Sequence, residues 1–164
     1  MRAVVIALLV LALGLGAASG VFWYDAHAMR SDEEAGQEAL AAARELAPDL
    51  LSYDYRTVEQ DLARATGHTT GELAKHYKQL SAGLVAKVKA ERTVQTASVA
   101  DGGVEVAEGD RVEVLLFVNM GTEKEITGKG GRRFQQSKNR ARFVMVRQDS
   151  RWLVADLSTL IGTA

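Results

Sequence analysis

The sequence predicts an α+β fold: one membrane-spanning helix, then three helices packed on a curved antiparallel sheet of four to five strands. Residues 3–24 of the 164-residue chain contain no charged side chain. Apolar residues then recur every three or four positions as far as residue 89, and alternate with polar ones from 93 to 157. A run of helices followed by a run of strands indicates helices layered on an antiparallel sheet, here in a cone-like arrangement.

The apolar stretch at residues 3–24 predicts a membrane anchor. Its 22 residues span about 33 Å as a helix, enough to cross the hydrocarbon core of a bilayer. Phe22, Trp23 and Tyr24 stand at one end, where aromatic rings favour the headgroup level, and Arg2 stands at the other. The positive-inside rule then places the N-terminus in the cytoplasm and the rest of the chain outside. The alternative is a signal peptide cleaved after residues 17–19, which would give a secreted protein.

Three regions follow from this interpretation: an anchor at residues 1–24, a polar juxtamembrane link at 25–32 and one extracytoplasmic α+β domain at 33–164. The last is long enough to bury a core without covalent cross-links. The chain contains no cysteine, which excludes disulfides and thiolate chemistry.

Capping signals mark the three helices. Ser31 with Glu34 forms a capping box before an alanine-rich helix, which Pro48 is expected to break or kink. Thr57 opens a second helix that ends near Gly67, and the third begins after residue 70. The third helix has the most regular apolar stripe, made of Leu73, Tyr77, Leu80, Leu84 and Val88.

Period-two alternation and turn residues delimit the strands. The predicted strands cover residues 93–100, 104–107, 111–120, 132–147 and 151–157. Asp101-Gly102-Gly103 predicts a hairpin turn, and the glycine-rich, charged segment 121–131 predicts a loop.

Charge is unevenly distributed along the chain. Residues 25–110 hold 9 Lys and Arg against 16 Asp and Glu, whereas residues 121–151 hold 9 against 3. Lys124, Lys129, Arg132 and Arg133 are therefore candidate contacts for a partner protein or for anionic lipid. Alternatively, the two halves neutralise each other within the fold or in a homo-oligomer. The slightly negative net charge and the predicted location argue against nucleic-acid binding.

Tyr53, Asp54, Tyr55 and His76 are the candidates for a pocket in the cone. A buried carboxylate with a raised pKa would serve as a proton-abstracting base, either Asp54 beside a tyrosine or Asp61 with His76. The structural interpretation, which we favour, is that the tyrosines pack at a helix–sheet corner while Asp54 pairs with Arg56. The histidine spacing matches no metal site, and no motif indicates a cofactor.

Taken together, the segments at residues 50–77, 97–120 and 143–157 resemble the Mce-associated membrane proteins of actinobacteria, with the order and spacing of the segments carrying the likeness. The resemblance implies a ketosteroid-isomerase-like (SnoaL-like) cone domain. It also implies a single-pass accessory or stabilising subunit beside Mce-type lipid or steroid importers, and supplies no catalytic residues.

The expected function is therefore non-catalytic, with Mce-type transporter subunits or other membrane proteins as partners. Two alternatives stay open. One is a small-molecule-binding or isomerase/dehydratase-type cone domain, and the other is a scaffold subunit similar to type IV secretion assembly components.

Overall fold

A computed structural model describes residues 29–126 and 131–160. The chain divides into two compact units, Met1–Glu34 and Ala35–Ala164. The described part of the first unit is helical, and its Met29 is exposed. The predicted anchor, with Arg2, Phe22, Trp23 and Tyr24, lies outside the described residues. None of the helices in the described ranges is long and apolar enough to cross a membrane.

Helix α1 is described over residues 29–51. Met29 and Arg30 are already helical, so the prediction that Ser31 caps the helix was wrong. Of the two alternatives for Pro48, a break or a kink, the break was wrong, because the helix continues to residue 51 and the Ser52 amide donates to the Pro48 carbonyl at 2.9 Å. Proline this close to a helix end removes only one intrahelical donor.

Small side chains line the face of α1 that packs on the sheet. Ala39, Ala43 and Ala47 recur every four residues, a spacing that keeps them on one side of a helix, and all three are fully buried. They belong to the main apolar core together with residues of the sheet. Their small size lets the helix lie close against the strands.

Helix α2 covers Val58–Gly67 and helix α3 covers Gly71–Ala90, which confirms the predicted starts after residues 57 and 70. The connector between them, residues 68–70, pairs with the last strand of the sheet. The Val154 amide donates to the His68 carbonyl, and the Thr70 amide donates to the Val154 carbonyl, both at 2.9 Å. Two backbone hydrogen bonds therefore fix the connector to the sheet.

The sheet has five strands in the order β1-β2-β3-β4-β5, and every neighbouring pair is antiparallel. Their bounds are Tyr53–Asp54, Val94–Glu108, Arg111–Ile126, Gly131–Gln148 and Arg151–Leu160. With three described helices, this sheet confirms the predicted α+β class.

Strand β2 contradicts the hairpin predicted at residues 101–103. It runs through them as one strand, with Asp101 opposite Phe117 and Gly102 opposite Leu116. The register shifts at two places, between residues 99 and 101 and between 104 and 106, as β-bulges do. The turn prediction was wrong because Gly102 has a packing role: a Cβ there would lie 2.5 Å from Leu116 Cδ2.

The loop predicted at residues 121–131 is also mostly strand. Strands β3 and β4 pair continuously from Arg111 opposite Val146 to Ile126 opposite Gly131. This long ladder extends both strands well beyond their apolar segments.

The inner face of the sheet, defined as the face that packs on α1, carries the predicted alternation. Val112, Val114 and Leu116 are fully buried and Val118 is 2% exposed. Phe143 of β4 is fully buried beside them. The α2–α3 pair has its own smaller apolar cluster of Val58, Leu62 and Val88, against which Tyr53 and Tyr55 pack.

Replacing Gly102 by alanine should lower the free energy of unfolding by about 1–3 kcal/mol, since the new methyl group overpacks against Leu116. The matched control is Gly103→Ala in the same strand, where a Cβ would meet nothing within 4 Å. Chemical denaturation followed by circular dichroism would measure both. Equal stability of the two variants would contradict the packing role of Gly102.

Candidate functional site

The structure separates the residues predicted to form a pocket. Tyr53 and Asp54 form β1, and the Tyr53 hydroxyl donates to Gln95 Oε1 at 3.2 Å. His76 is exposed on α3 and lines a different depression of about 390 Å³ with Asp156. The predicted set is therefore not one site: Tyr53, Asp54 and Tyr55 lie at the start of α2, away from His76.

Asp54 pairs with Arg56, which confirms the structural interpretation of this residue. Its carboxylate accepts the Arg56 backbone amide at 2.9 Å and the guanidinium as well. The side-chain hydrogen bonds from Arg56 hold the pKa of Asp54 below its ordinary value. A carboxylate held ionised in this way is a poor proton-abstracting base.

Asp61, the other predicted base, is a buried structural acceptor. It is 8% exposed and accepts three hydrogen bonds. The donors are the Asp54 amide at 3.0 Å, the Thr57 hydroxyl at 2.9 Å and the Arg64 guanidinium at 2.8 Å. The Asp54 donor lies in β1, Thr57 directly precedes α2 and Arg64 lies in α2, so Asp61 fastens the start of α2 to β1.

Side chains fill the interior of the cone, between α1 and the inner face of the sheet. Phe143, Leu116 and Met145 are among the largest fully buried side chains, and the alanine face of α1 closes over the same core. Protein interiors packed in this way leave few voids larger than a water molecule. Within the described residues, these side chains pack into one apolar core between α1 and the sheet.

An apolar groove lies outside this core, between α2 and α3. Leu62, Ala63, Tyr77 and Val85 line a depression of about 600 Å³. The Tyr77 hydroxyl donates to the Leu50 carbonyl at 3.1 Å, and burial raises the pKa of Tyr77. Glu59, which pairs with Lys89, and Lys78 also line this groove, so it combines apolar contact area with charged side chains.

The four predicted partner-contact cations do not form one free patch. Lys124 pairs with Glu91 at 2.8 Å, and Arg132 pairs with Glu123 at 2.7 Å. Arg133 is exposed on the next residue of β4. Lys129 lies outside the described residues. Neutralisation within the fold, the alternative drawn from the charge distribution, therefore applies to Lys124 and Arg132.

A surface feature missed from the sequence lies on the outer face of the sheet, defined as the face opposite α1. Phe117 and Phe134 are 46% and 64% exposed there. Lys138 of β4 lies between them, opposite Asn119 of β3, and Arg140 lies beside Phe117, its partner across the two strands. The alternation of side chains along a strand could have revealed this feature in the sequence. Phe117 stands between buried Leu116 and Val118, so its side chain must point to the opposite face.

The structure also bears on metal binding. Within residues 29–126 and 131–160, no three His, Asp or Glu side chains come together in a group that could hold a metal ion. His68 instead contacts Asp49, with 3.2 Å between Nε2 and Oδ2. Trp152 is partly buried against the core, with the Arg147 guanidinium 4.7 Å from its ring centroid.

Comparison with protein families identifies the chain's relatives. The model of a family described as uncharacterized protein Rv1363c/MT1408-like matches residues 1–152. The chain belongs to this family. A relative from Mycobacterium tuberculosis, uncharacterized protein Rv1362c, is 27% identical over 94% of this chain and 70% of its own length. A second, outer membrane protein Rv1973 of the same organism, is 34% identical over 66% of this chain and 69% of its own length.

Several solved structures resemble this member of the Rv1363c-like family in fold. An IcmL-like type IV secretion system protein from Legionella pneumophila matches with a TM-score of 0.58 at 10% identity, over 78% of this chain and 94% of that one. CagV, a VirB8 homolog from Helicobacter pylori, matches with a TM-score of 0.58 at 8% identity, over 76% and 97%. At such low identity the likeness shows the fold alone, which is NTF2-like.

Asp61→Ala should lower the free energy of unfolding by about 1–3 kcal/mol, because it leaves the buried donors around the carboxylate without an acceptor. The matched control on the same helix is Glu59→Ala, which removes an exposed ion pair with Lys89 and should stay near wild type. Chemical denaturation would measure both variants. Equal effects would show that Asp61 does not fasten α2.

Stability should fall in acid because of the surface ion pairs. Hydrogen bonds from Arg56 and Lys124 lower the pKa of Asp54 and Glu91 below their ordinary values of 3.8 and 4.5. Since the folded-state pKa is the lower one, the stabilisation is complete above the ordinary value and is lost as pH falls through the folded-state value.

Denaturation between about pH 6 and pH 3 would measure this loss. Glu91→Gln and Lys124→Gln each remove the Glu91–Lys124 ion pair. Both variants should therefore show a smaller slope of the free energy of unfolding against pH. A slope unchanged from wild type in both variants would show that this pair contributes nothing.

Proposed function

We propose that this protein is a non-catalytic, membrane-anchored accessory subunit that stabilises a complex of the cell envelope through protein–protein contacts. The filled interior of the cone carries the proposal, because a substrate would have to displace Phe143, Leu116 and the alanine face of α1. The lowered pKa of Asp54 supports the same proposal, since hydrogen bonds from Arg56 keep this candidate base ionised.

The proposed location is the cell membrane, with residues 3–24 as the single-pass anchor and the α+β domain on the extracytoplasmic side. The apolar length of this stretch and the placement of Arg2 support that orientation. A relative named as an outer membrane protein is consistent with an envelope location. Anchoring the domain would raise its effective concentration beside membrane partners.

The proposed partner is an Mce-type lipid or steroid importer, and this part rests on the resemblance of residues 50–77, 97–120 and 143–157 to Mce-associated membrane proteins. A scaffold role in a secretion-type assembly is the second candidate. The names of the fold relatives, an IcmL-like secretion protein and a VirB8 homolog, favour it. Both candidates use the domain as a protein-binding module.

Affinity purification of the tagged full-length chain from crosslinked native membranes tests the proposal. We expect Mce-type transporter subunits to be enriched over a control in which residues 1–34 carry an unrelated soluble domain. That control retains the anchor and removes the α+β domain, so it reports contacts made by the membrane segment alone.

The outcomes separate the two parts of the proposal. Recovery of secretion-type components without any Mce-type subunit would replace the partner and keep the accessory role. Recovery of the same proteins with the control as with the full chain would overturn the accessory role of the domain.

A further inference from the structure

We propose that the outer face of strands β2, β3 and β4 is the docking site for an acidic amphipathic helix of a partner protein. The inference rests on the proposed function, since it names the kind of partner segment that such a subunit would hold. Three observations carry it: a recessed surface, two exposed aromatic rings and a pair of cations that are not neutralised.

The recess consists of two adjoining depressions, which we call the outer trough, of about 550 and 420 Å³. Both are lined by Asn119 and Lys138, so they form one continuous feature. Phe134 lies in one depression and Phe117 in the other. The two exposed rings supply apolar contact area at the two ends of the recess.

The dimensions of the outer trough suit a helix. Phe117 lies opposite Arg140, so the distance between the two aromatic positions is about that from residue 134 to residue 140 of β4. Six residues of strand span about 20 Å. A helix of about 13 residues has the same length. The recess therefore accepts three to four helical turns between its two rings.

Backbone pairing favours a helix over an extended peptide. Strand β3 forms the floor and is hydrogen-bonded on both sides, to β2 and to β4. An extended segment lying on this floor would find no free backbone partners, whereas a helix satisfies its own backbone groups. Contact must then be made by side chains, which is how amphipathic helices bind grooves.

Charge decides the kind of helix. The acids of the outer face are neutralised by neighbours, as in the pairs Arg142–Glu105 at 2.6 Å and Arg132–Glu123 at 2.7 Å. Lys138 and Arg140 form no ion pair with any residue in the described ranges. The half of the outer trough nearer Phe117 therefore carries two positive charges without an ion-pair partner in the described ranges, which acidic side chains complement.

A second copy of the chain fits this surface less well. A two-fold axis through the outer trough would bring the face against itself, so Lys138 and Arg140 would approach the same cations of the other copy. Like charges in such an interface are destabilising. The acidic helix of a different protein is the occupant that the charges favour.

The test is photocrosslinking of the full-length chain in its native membrane. Phe117→p-benzoyl-phenylalanine places the reactive group inside the outer trough. We expect a product whose crosslinked partner segment, mapped by mass spectrometry, is an acidic amphipathic helix. Lys138→Glu with Arg140→Glu should lower the yield at least about tenfold. Acid-to-lysine changes on the mapped helix should restore it.

The matched control is Lys87→Glu with Arg151→Glu, the same charge change at exposed positions outside the outer trough. It should leave the yield unchanged. Crosslinking to a second copy, or to a partner segment without acidic residues, would overturn the proposal. So would equal loss in both charge-reversed variants, or charge-sensitive binding to vesicles of phosphatidylglycerol and phosphatidylcholine in place of a protein.

These outcomes are distinct from failure of the accessory role. If the wild-type chain and the Lys138→Glu/Arg140→Glu variant purify with the same envelope proteins, the outer trough is not the docking site and the accessory role stands. If neither the wild-type chain nor the control purifies with a partner, the accessory role fails first.

Discussion

The contact between the alanine face of α1 and the inner face of the sheet is the one on which the rest of the fold depends. Ala39, Ala43 and Ala47 are fully buried against the strands. Their short side chains bring the helix close, and burial of the opposing valines and leucines supplies most of the favourable free energy. Larger residues at these positions would lift α1 and open the interior.

Because the interior of this domain is closely packed, the groups that can contact other molecules lie on its surface. The carboxylates that could have served an active site are already bound, Asp54 by Arg56 and Asp61 by three donors of the α2 turn. What the sheet exposes instead is a pair of aromatic rings with Lys138 between them and Arg140 beside Phe117. These surface features support the proposed accessory role.

Local sequence patterns predicted the parts of the fold that local forces determine. The starts of α2 and α3 and the alternation over residues 112–118 were predicted correctly, although neither Thr57 nor Thr70 makes a side-chain capping hydrogen bond. Two features depend on distant partners and were missed. Gly102 looked like a turn residue because its contact with Leu116 is not visible in sequence. Residues 121–126 looked like a loop because only pairing with β4 makes them a strand.

The same division applies to the candidate site. The pairing of Asp54 with Arg56, two residues apart, was predictable, whereas that of Lys124 with Glu91 joins distant segments.

The contact of Val154 with the α2–α3 connector also joins distant segments, and it protects the edge of the sheet. An edge strand with free backbone groups can recruit strands of other chains. Both backbone groups of Val154 are hydrogen-bonded to the α2–α3 connector. The middle of β5 is thereby closed to edge-to-edge polymerisation.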